Sequence, residues 1–274
     1  MWICSGSSAY NELVEGGIPV KHKKAKRFIV LLLFAALLWT AVYWCARDAA
    51  KAAAEKTGAT LPFLLNVPYI NQRMDYPTGC ESVSAVMALQ YAGVDITVDT
   101  FIDDCLDTGE RPAYEDGVRY GCDPWEAFPG DPRSSSGYGC FSPVIERALR
   151  RAVGTQPYTV ESLNGLTLDE LCGRYVQKGV PVIVWATIDM AAPKPGSTWI
   201  VRDTGRLIQW MTPMHCLLLV GYDEKNYYFN DPWREAAVAY PRGDCTVAYD
   251  GFGRQAVVVY ASAAQSSTST IDGR

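Results

Sequence analysis

"PYINQRMDYPTGCESVSAVMALQYAG", residues 68–93, decides how this chain is read. In its second half Val83, Val86, Met87 and Gln90 or Tyr91 recur at helical spacing, which predicts a helix from Glu81 to Tyr91. Gly93 stands where a left-handed residue closes a helix. In the first half the turn Pro77-Thr78-Gly79 delivers Cys80 to the helix start. A thiol there meets unpaired backbone N–H groups and the positive end of the helix dipole, and both favour the thiolate. A cysteine opening an apolar helix is more often inert core, so the reading turns on what else the chain supplies.

A cysteine nucleophile needs a base, and the chain has two histidines, His22 and His215. His22 lies in a basic leader ahead of an apolar run expected to span a membrane, which leaves His215. It opens the apolar strand of "MHCLLLVGYDEKNYYFNDPW", followed by the turn-prone Asp223-Glu224-Lys225-Asn226 and a second strand. Pairing those strands as a hairpin sets Asp231 opposite His215 or one step diagonal from it. Strand alternation puts Leu217 and Leu219 on the His215 face and Cys216 on the other, which argues against Cys216 as the partner thiol. Gln72, in the segment leading into Cys80, is positioned to fold back beside the helix start as an oxyanion donor, with the Cys80 N–H as the second. Alone, each of these residues is more often structural; their agreement points to Cys-His-Asp chemistry.

The chain has 274 residues, of which 49% are hydrophobic and 20% charged, suited to one sizeable domain with appendages. Its net charge of −5 is uneven: residues 1–47 hold six Lys/Arg against two Glu, so that part is +4 and the remainder −9. An acidic main domain excludes nucleic acid as the expected partner. Phe28 to Ala46 is a run of 19 residues without charge, close to the length of about 20 that spans a bilayer. Lys21, Lys23, Lys24, Lys26 and Arg27 precede it, which holds the N-terminus in the cytoplasm. The expected organisation is a cytoplasmic tail (1–27), a transmembrane anchor (28–46), a stalk (47–60), an extracytoplasmic domain (61–260) and a disordered tail (261–274). The alternative, a cleaved signal peptide, requires a shorter apolar core of about 7–15 residues. Seven of the nine cysteines, Cys80, Cys105, Cys122, Cys140, Cys172, Cys216 and Cys245, fall in that domain. In an oxidising exterior six would form up to three disulfides and leave one free thiol. No metal or cofactor is expected, and the acidic Asp103, Asp104 and Asp107 read as a solvated face.

Along the rest of the domain, Thr97 starts a second short helix and Thr108 to Phe141 reads as a long ordered loop pinned by Cys105, Cys122 and Cys140. Ser142 is the expected N-cap of a helix with Pro143 at its first position. Thr167 with Glu170 is a capping box whose helix ends at Gly179. Strands follow: "VPVIVWATI", "TWIVRD", "RLIQWM", "MHCLLLVGY", "NYYFNDP" and "QAVVVYA", an antiparallel sheet by their short connections. Helices first and strands afterwards give an α+β domain. Trp185, Trp199, Trp210 and most other large aromatics are expected in the core.

Taken together, "VPYINQ", "PTGCESVSAVMALQYAG", "GVPVIVWATI", "MHCLLLVGYD" and "YYFNDPW" resemble the peptidases related to the double-glycine leader peptidases of bacteriocin exporters, the C39-like branch of the papain-like cysteine peptidases. The resemblance covers roughly residues 62–260. It implies a papain-like fold, helices packed on an antiparallel sheet, with Cys80 as nucleophile, His215 as base, Asp231 orienting the imidazole and Gln72 in the oxyanion hole. The chain departs from the leader peptidases proper in lacking a phosphate-binding loop, and the cysteine-rich stretch 105–140 falls outside the alignable blocks. The leading expectation is a membrane-tethered extracytoplasmic cysteine peptidase acting on a peptide or protein. A cell-wall peptide amidase, a catalytically silent binding module and a transglutaminase-type acyl transferase are the alternatives. Oligomeric state is not readable.

Overall fold

The computed structural model describes residues 39–40, 42–45 and 62–262. The chain divides into two units, Met1–Leu61 and Pro62–Arg274. In the first, residues 39–40 and 42–45 are helical. The expected tail, stalk and most of the expected anchor lie outside the described residues, as does the C-terminal tail from 263 onward. Among the described residues no helix is long and apolar enough to cross a membrane.

The second unit opens with β1 (Phe63–Leu64) and α1 (Cys80–Ala92), which starts at Cys80 itself and ends at Gly93 with φ 97°. Helix α2 (Val98–Asp104) is capped by the Thr97 hydroxyl, which accepts from the Thr100 N–H at 3.1 Å. The stretch expected as loop contains β2 (Thr108–Gly109), β3 (Ala113–Glu115), β4 (Val118–Gly121) and β5 (Phe128–Pro129). Helix α3 (Ser142–Val153) has Phe141 as N-cap, one residue before the expected Ser142. Ser142 is held instead by Gln255, whose Oε1 accepts its N–H at 2.9 Å. Next come β6 (Tyr158–Ser162) and α4 (Leu168–Arg174), the latter opened by the full Thr167–Glu170 capping box. The remainder is β7 (Val182–Thr187), β8 (Lys194–Val201), β9 (Leu207–Thr212), β10 (Met214–Tyr222), β11 (Asn226–Asn230), β12 (Val238–Pro241), α5 (Arg242–Asp250) and β13 (Ala256–Ala261).

The fold is α+β, with a main antiparallel sheet ordered β12-β11-β10-β7-β13-β6 and β1 paired to β10. Two expectations about it are corrected. Strands β8 and β9 belong not to this sheet but to a second one, β3-β4-β8-β9, in which β4 runs parallel to β8. Helices also cover both faces of the main sheet. Residues of α1, α2 and α3 share one core with Ile183, Trp185, Cys216, Leu218, Val220, Val257 and Val259. Residues of α4 and α5 share the other with Val182, Val184, Leu217, Leu219, Ala256 and Val258. Burial on both faces is why β7, β10 and β13 read as unbroken apolar runs rather than alternating ones.

Every cysteine among the described residues is a free thiol, so the expected disulfides are not found. Cys105, Cys140, Cys172, Cys216 and Cys245 instead fill the two cores as small apolar groups. The 108–141 stretch is pinned by aromatic packing: Tyr138 lies 5.2 Å from Trp199 and 5.6 Å from Trp210, ring centre to ring centre, and Phe141 lies 5.6 Å from Trp210. The Trp199 indole N–H donates to the Cys122 carbonyl at 2.9 Å. The acidic residues beside it are paired on the surface, Asp107 with Arg147 and Arg151 and Asp103 with Arg133.

Because one core lies on each face, Leu218→Ala and Leu219→Ala are each expected to cost about 2–5 kcal/mol. Urea unfolding checks this; near-neutrality of either substitution would mean that its face is not packed.

Candidate active site

The site is assembled by the segment between β1 and α1, which is stitched to the end of β11. The Asn230 amide donates to the carbonyls of Val67 and Pro68, both at 3.2 Å, and the Gln72 N–H donates to the Pro232 carbonyl at 3.0 Å. The turn then closes through Gly79, whose N–H donates to the Tyr76 carbonyl at 2.9 Å. A side chain at Gly79 would sit 3.0 Å from Tyr76 Cβ and 3.2 Å from Pro132 Cβ, so close approach, not backbone angle, requires the glycine. The helix therefore starts at Cys80 with its thiol against β10.

Cys80 is buried, and its Sγ accepts from the Cys216 backbone N–H at 3.4 Å. It also donates to Glu81 Oε2 at 3.3 Å. The thiol thus meets the strand backbone beside His215 rather than the ring. Among the described residues there is no hydrogen bond between Cys80 and the imidazole. Burial, and after it the neighbouring Glu81 charge, raise the thiol well above its ordinary value, which overrides the thiolate preference expected at a helix start.

His215 is buried on β10 opposite Ala186, and its Nε2 is 2.7 Å from Asp231 Oδ1. Leu218 pairs with Asn230, so Asp231 falls beside Leu217, two residues along from His215 and on its face of the sheet. The carboxylate is well supplied: Oδ1 also accepts from the Trp233 N–H at 2.8 Å, and Oδ2 accepts from the Tyr240 hydroxyl at 2.7 Å. Burial works to raise the Asp231 pKa, but the hydrogen bonds and the imidazole outweigh it and hold the carboxyl below the ordinary value. Tyr240 is shifted the other way, raised by burial and by the carboxylate it donates to.

Gln72 is buried in the same turn as Cys80, where its Nε2 donates to the carbonyls of Tyr76 and Pro77, both at 3.3 Å. Its Oε1 has no hydrogen-bond partner. Its amide hydrogens are therefore engaged by the turn that precedes the thiol, not presented to it. Two further residues belong to this cluster and were not read from the sequence. Tyr240 sits on β12, a short strand without an apolar run. Glu81 has the appearance of an ordinary acidic residue in a helix's first turn, yet it is wholly buried, with Oε1 accepting from the Cys140 N–H at 2.7 Å. Burial raises it to about 7.

A buried imidazole–carboxylate pair, a thiol at a helix start and a glutamine in the same turn are components of acyl-transfer chemistry. The sequence agrees with that class: residues 64–257 match the family described as peptidase C39 like. The chain belongs to the C39-like peptidase family. Among family relatives, the uncharacterized protein YvpB of Bacillus subtilis (strain 168) is 29% identical over 215 residues, 77% of this chain and 81% of that protein. A crystal structure assigned as a C39-like peptidase from Bacillus anthracis superposes with a TM-score of 0.61 at 26% identity, covering 73% of this chain and 98% of that one.

Tyr240→Phe removes one donor from Asp231 and is expected to cost about 1–3 kcal/mol at neutral pH. Asp231 is depressed in the folded state, so its contribution is present above the ordinary aspartate value and is lost as pH falls through the lowered one. Without Tyr240 that loss sets in at higher pH. Urea midpoints measured from neutral to acid pH should show the shift, and superimposable profiles would exclude it.

Proposed function

We propose that the protein is a cysteine peptidase in which Cys80 is the nucleophile, His215 the general base and then acid, Asp231 the group that orients the imidazole, and Gln72 an oxyanion donor. The observation that carries this reading is the buried His215–Asp231 pair at 2.7 Å on the strand whose next backbone N–H touches the Cys80 sulfur. Family membership supports it, and the papain-like arrangement implied by the motifs is consistent with α1 lying against β10.

In the reaction, the thiol proton passes to the free nitrogen of His215, Nδ1, leaving a thiolate and an imidazolium steadied by Asp231. The thiolate attacks the peptide carbonyl carbon. The resulting oxyanion takes hydrogen bonds from the Cys80 N–H, which opens a helix, and from the Gln72 amide. The imidazolium then protonates the leaving amine as the C–N bond breaks. Water, deprotonated by His215, hydrolyses the acyl-thiol and restores the thiol. Two local exchanges precede the first step: Cys80 turns from Glu81 to His215, and Gln72 releases the Tyr76 and Pro77 carbonyls. The substrate class is a peptide or protein. The charge-free run from Phe28 to Ala46, with its basic leader, supports a membrane anchor that places this domain outside the cytoplasm.

Hydrolysis of unfolded casein by the full chain is the test. Cys80→Ala and His215→Ala are expected to reduce it by about 10⁴-fold or more, and Gln72→Ala by about 10²–10³-fold, with unchanged circular dichroism. Release of soluble fragments from purified peptidoglycan without casein hydrolysis would replace the peptidase with an amidase. Inertness on both would leave a binding module.

A further inference from the structure

Among the described residues only two carboxylates are buried, Asp231 and Glu81. Asp231 has a histidine and two further donors. Glu81 receives its own backbone N–H, that of Cys140 and the Cys80 thiol, and no lysine or arginine is paired with it among the described residues. A wholly buried carboxylate without a cationic partner is costly to keep ionised, and its position is confined from three sides. The Cys140 N–H fixes Oε1. The Cys80 sulfur lies on Oε2. At Gly139 an added Cβ would be 2.5 Å from Oε1 and 2.2 Å from the Met214 methyl, so the chain is closed over the carboxylate and over the residue preceding His215.

We propose that Glu81 is a positioning residue for the nucleophile: it holds the Cys80 S–H toward itself, keeping the thiol protonated at rest, and Cys80 becomes reactive when that hydrogen bond is exchanged for one to His215. This rests on the reading of Cys80 as nucleophile. In the exchange the S–H proton goes to His215 and the S–H···Glu81 contact is lost; nothing is oxidised and no further reactant is needed. The titratable groups around the carboxylate are Cys80 on its own helix, Cys140 from the chain before α3 and Cys216 from β10, all three raised chiefly by burial. Among the described residues the cation that bears on the cluster is Arg147 of α3, which acts on Cys140 and is itself paired with Asp107 and Glu126. An ionised Glu81 therefore disfavours the thiolate, whereas a protonated or neutral one donates to it or leaves it alone. With Glu81 raised to about 7, this switch in character falls near neutral pH.

Glu81→Gln keeps the size of the side chain and an acceptor for the Cys140 N–H but removes the charge. Its test is the pH profile of Cys80 alkylation by iodoacetamide in the full chain, located by peptide mass mapping, together with thiolate absorbance. The expected result is a midpoint lowered by about one pH unit or more, hence alkylation about tenfold faster at neutral pH. The gap should close in acid, where wild-type Glu81 is itself protonated. An unchanged midpoint, or slower alkylation, overturns the proposal. Should the variant not fold, wild type carries the test: a resting midpoint above the ordinary thiol value of 9.0 supports the proposal, and a thiolate already present at neutral pH overturns it. Casein hydrolysis separates the two readings. Hydrolysis with an unshifted midpoint rejects the role of Glu81 alone; a shifted midpoint without hydrolysis rejects the peptidase alone.

Discussion

Helix α1 is buried from Cys80 through Leu89, and this constraint organises the rest of the domain. A helix with no wet face must be surrounded, so α2 and α3 close over it while the main sheet closes beneath. The small Ser84 brings the helix backbone close to the strands. Ser84 donates to the Cys216 carbonyl at 3.2 Å while the Cys216 N–H donates to the Cys80 sulfur, so both backbone polar groups of one β10 residue are held by the same helix. The thiol is placed next to the strand of His215 by this packing, and the second core, under α4 and α5, buries the opposite face of that strand through Leu217 and Leu219.

The two buried carboxylates show how one small region maintains opposite acid–base states. Asp231 is surrounded by donors and stays ionised despite its burial, which is what a partner of an imidazolium requires. Glu81, the residue next to the proposed nucleophile, is pushed up to about 7 by burial although its own N–H, the Cys140 N–H and the Cys80 thiol all donate to it. Hydrogen-bond number does not separate the two carboxylates; the imidazole beside Asp231 supplies an attraction that Glu81 lacks. The difference arises from position: Asp231 follows a strand end, where His215, the Trp233 N–H and the Tyr240 hydroxyl converge, whereas Glu81 is enclosed between its helix and the Cys140 amide.

Much of this was legible because it is local. The start of α1, its glycine stop, the Thr167 cap and the apolar strands are written in neighbouring residues, and the hairpin arithmetic that brought Asp231 to His215 needs only the turn at residue 223 and alternation. What was not legible depends on partners far away. The parallel pairing of β4 with β8, Tyr120 beside Ile200, has no local sign, although the Asp116-Gly117 turn that joins β4 to β3 was a local hairpin signal within the stretch read as loop. Likewise Ser142 yields the cap position because Gln255, more than a hundred residues later, accepts its N–H. The cysteines misled because an odd set of thiols in a chain with a basic, apolar leader suggests oxidation, whereas their actual use is as core filler. Glu81 was passed over because an acidic residue in a helix's first turn has an ordinary explanation in the helix dipole, and only its burial shows otherwise.

The contact between the Cys80 sulfur and the Cys216 N–H spans 136 positions of the chain. During synthesis the helix that carries Cys80 is complete long before the strand that seats its thiol has been made. Until β10 is in place the thiol lacks its backbone donor, and until residue 231 follows it His215 lacks its carboxylate. Closing so long a loop is also slow relative to forming the helix. On the proposed reading of Cys80 as nucleophile, the site is thus completed only after the C-terminal strands of the sheet have been made.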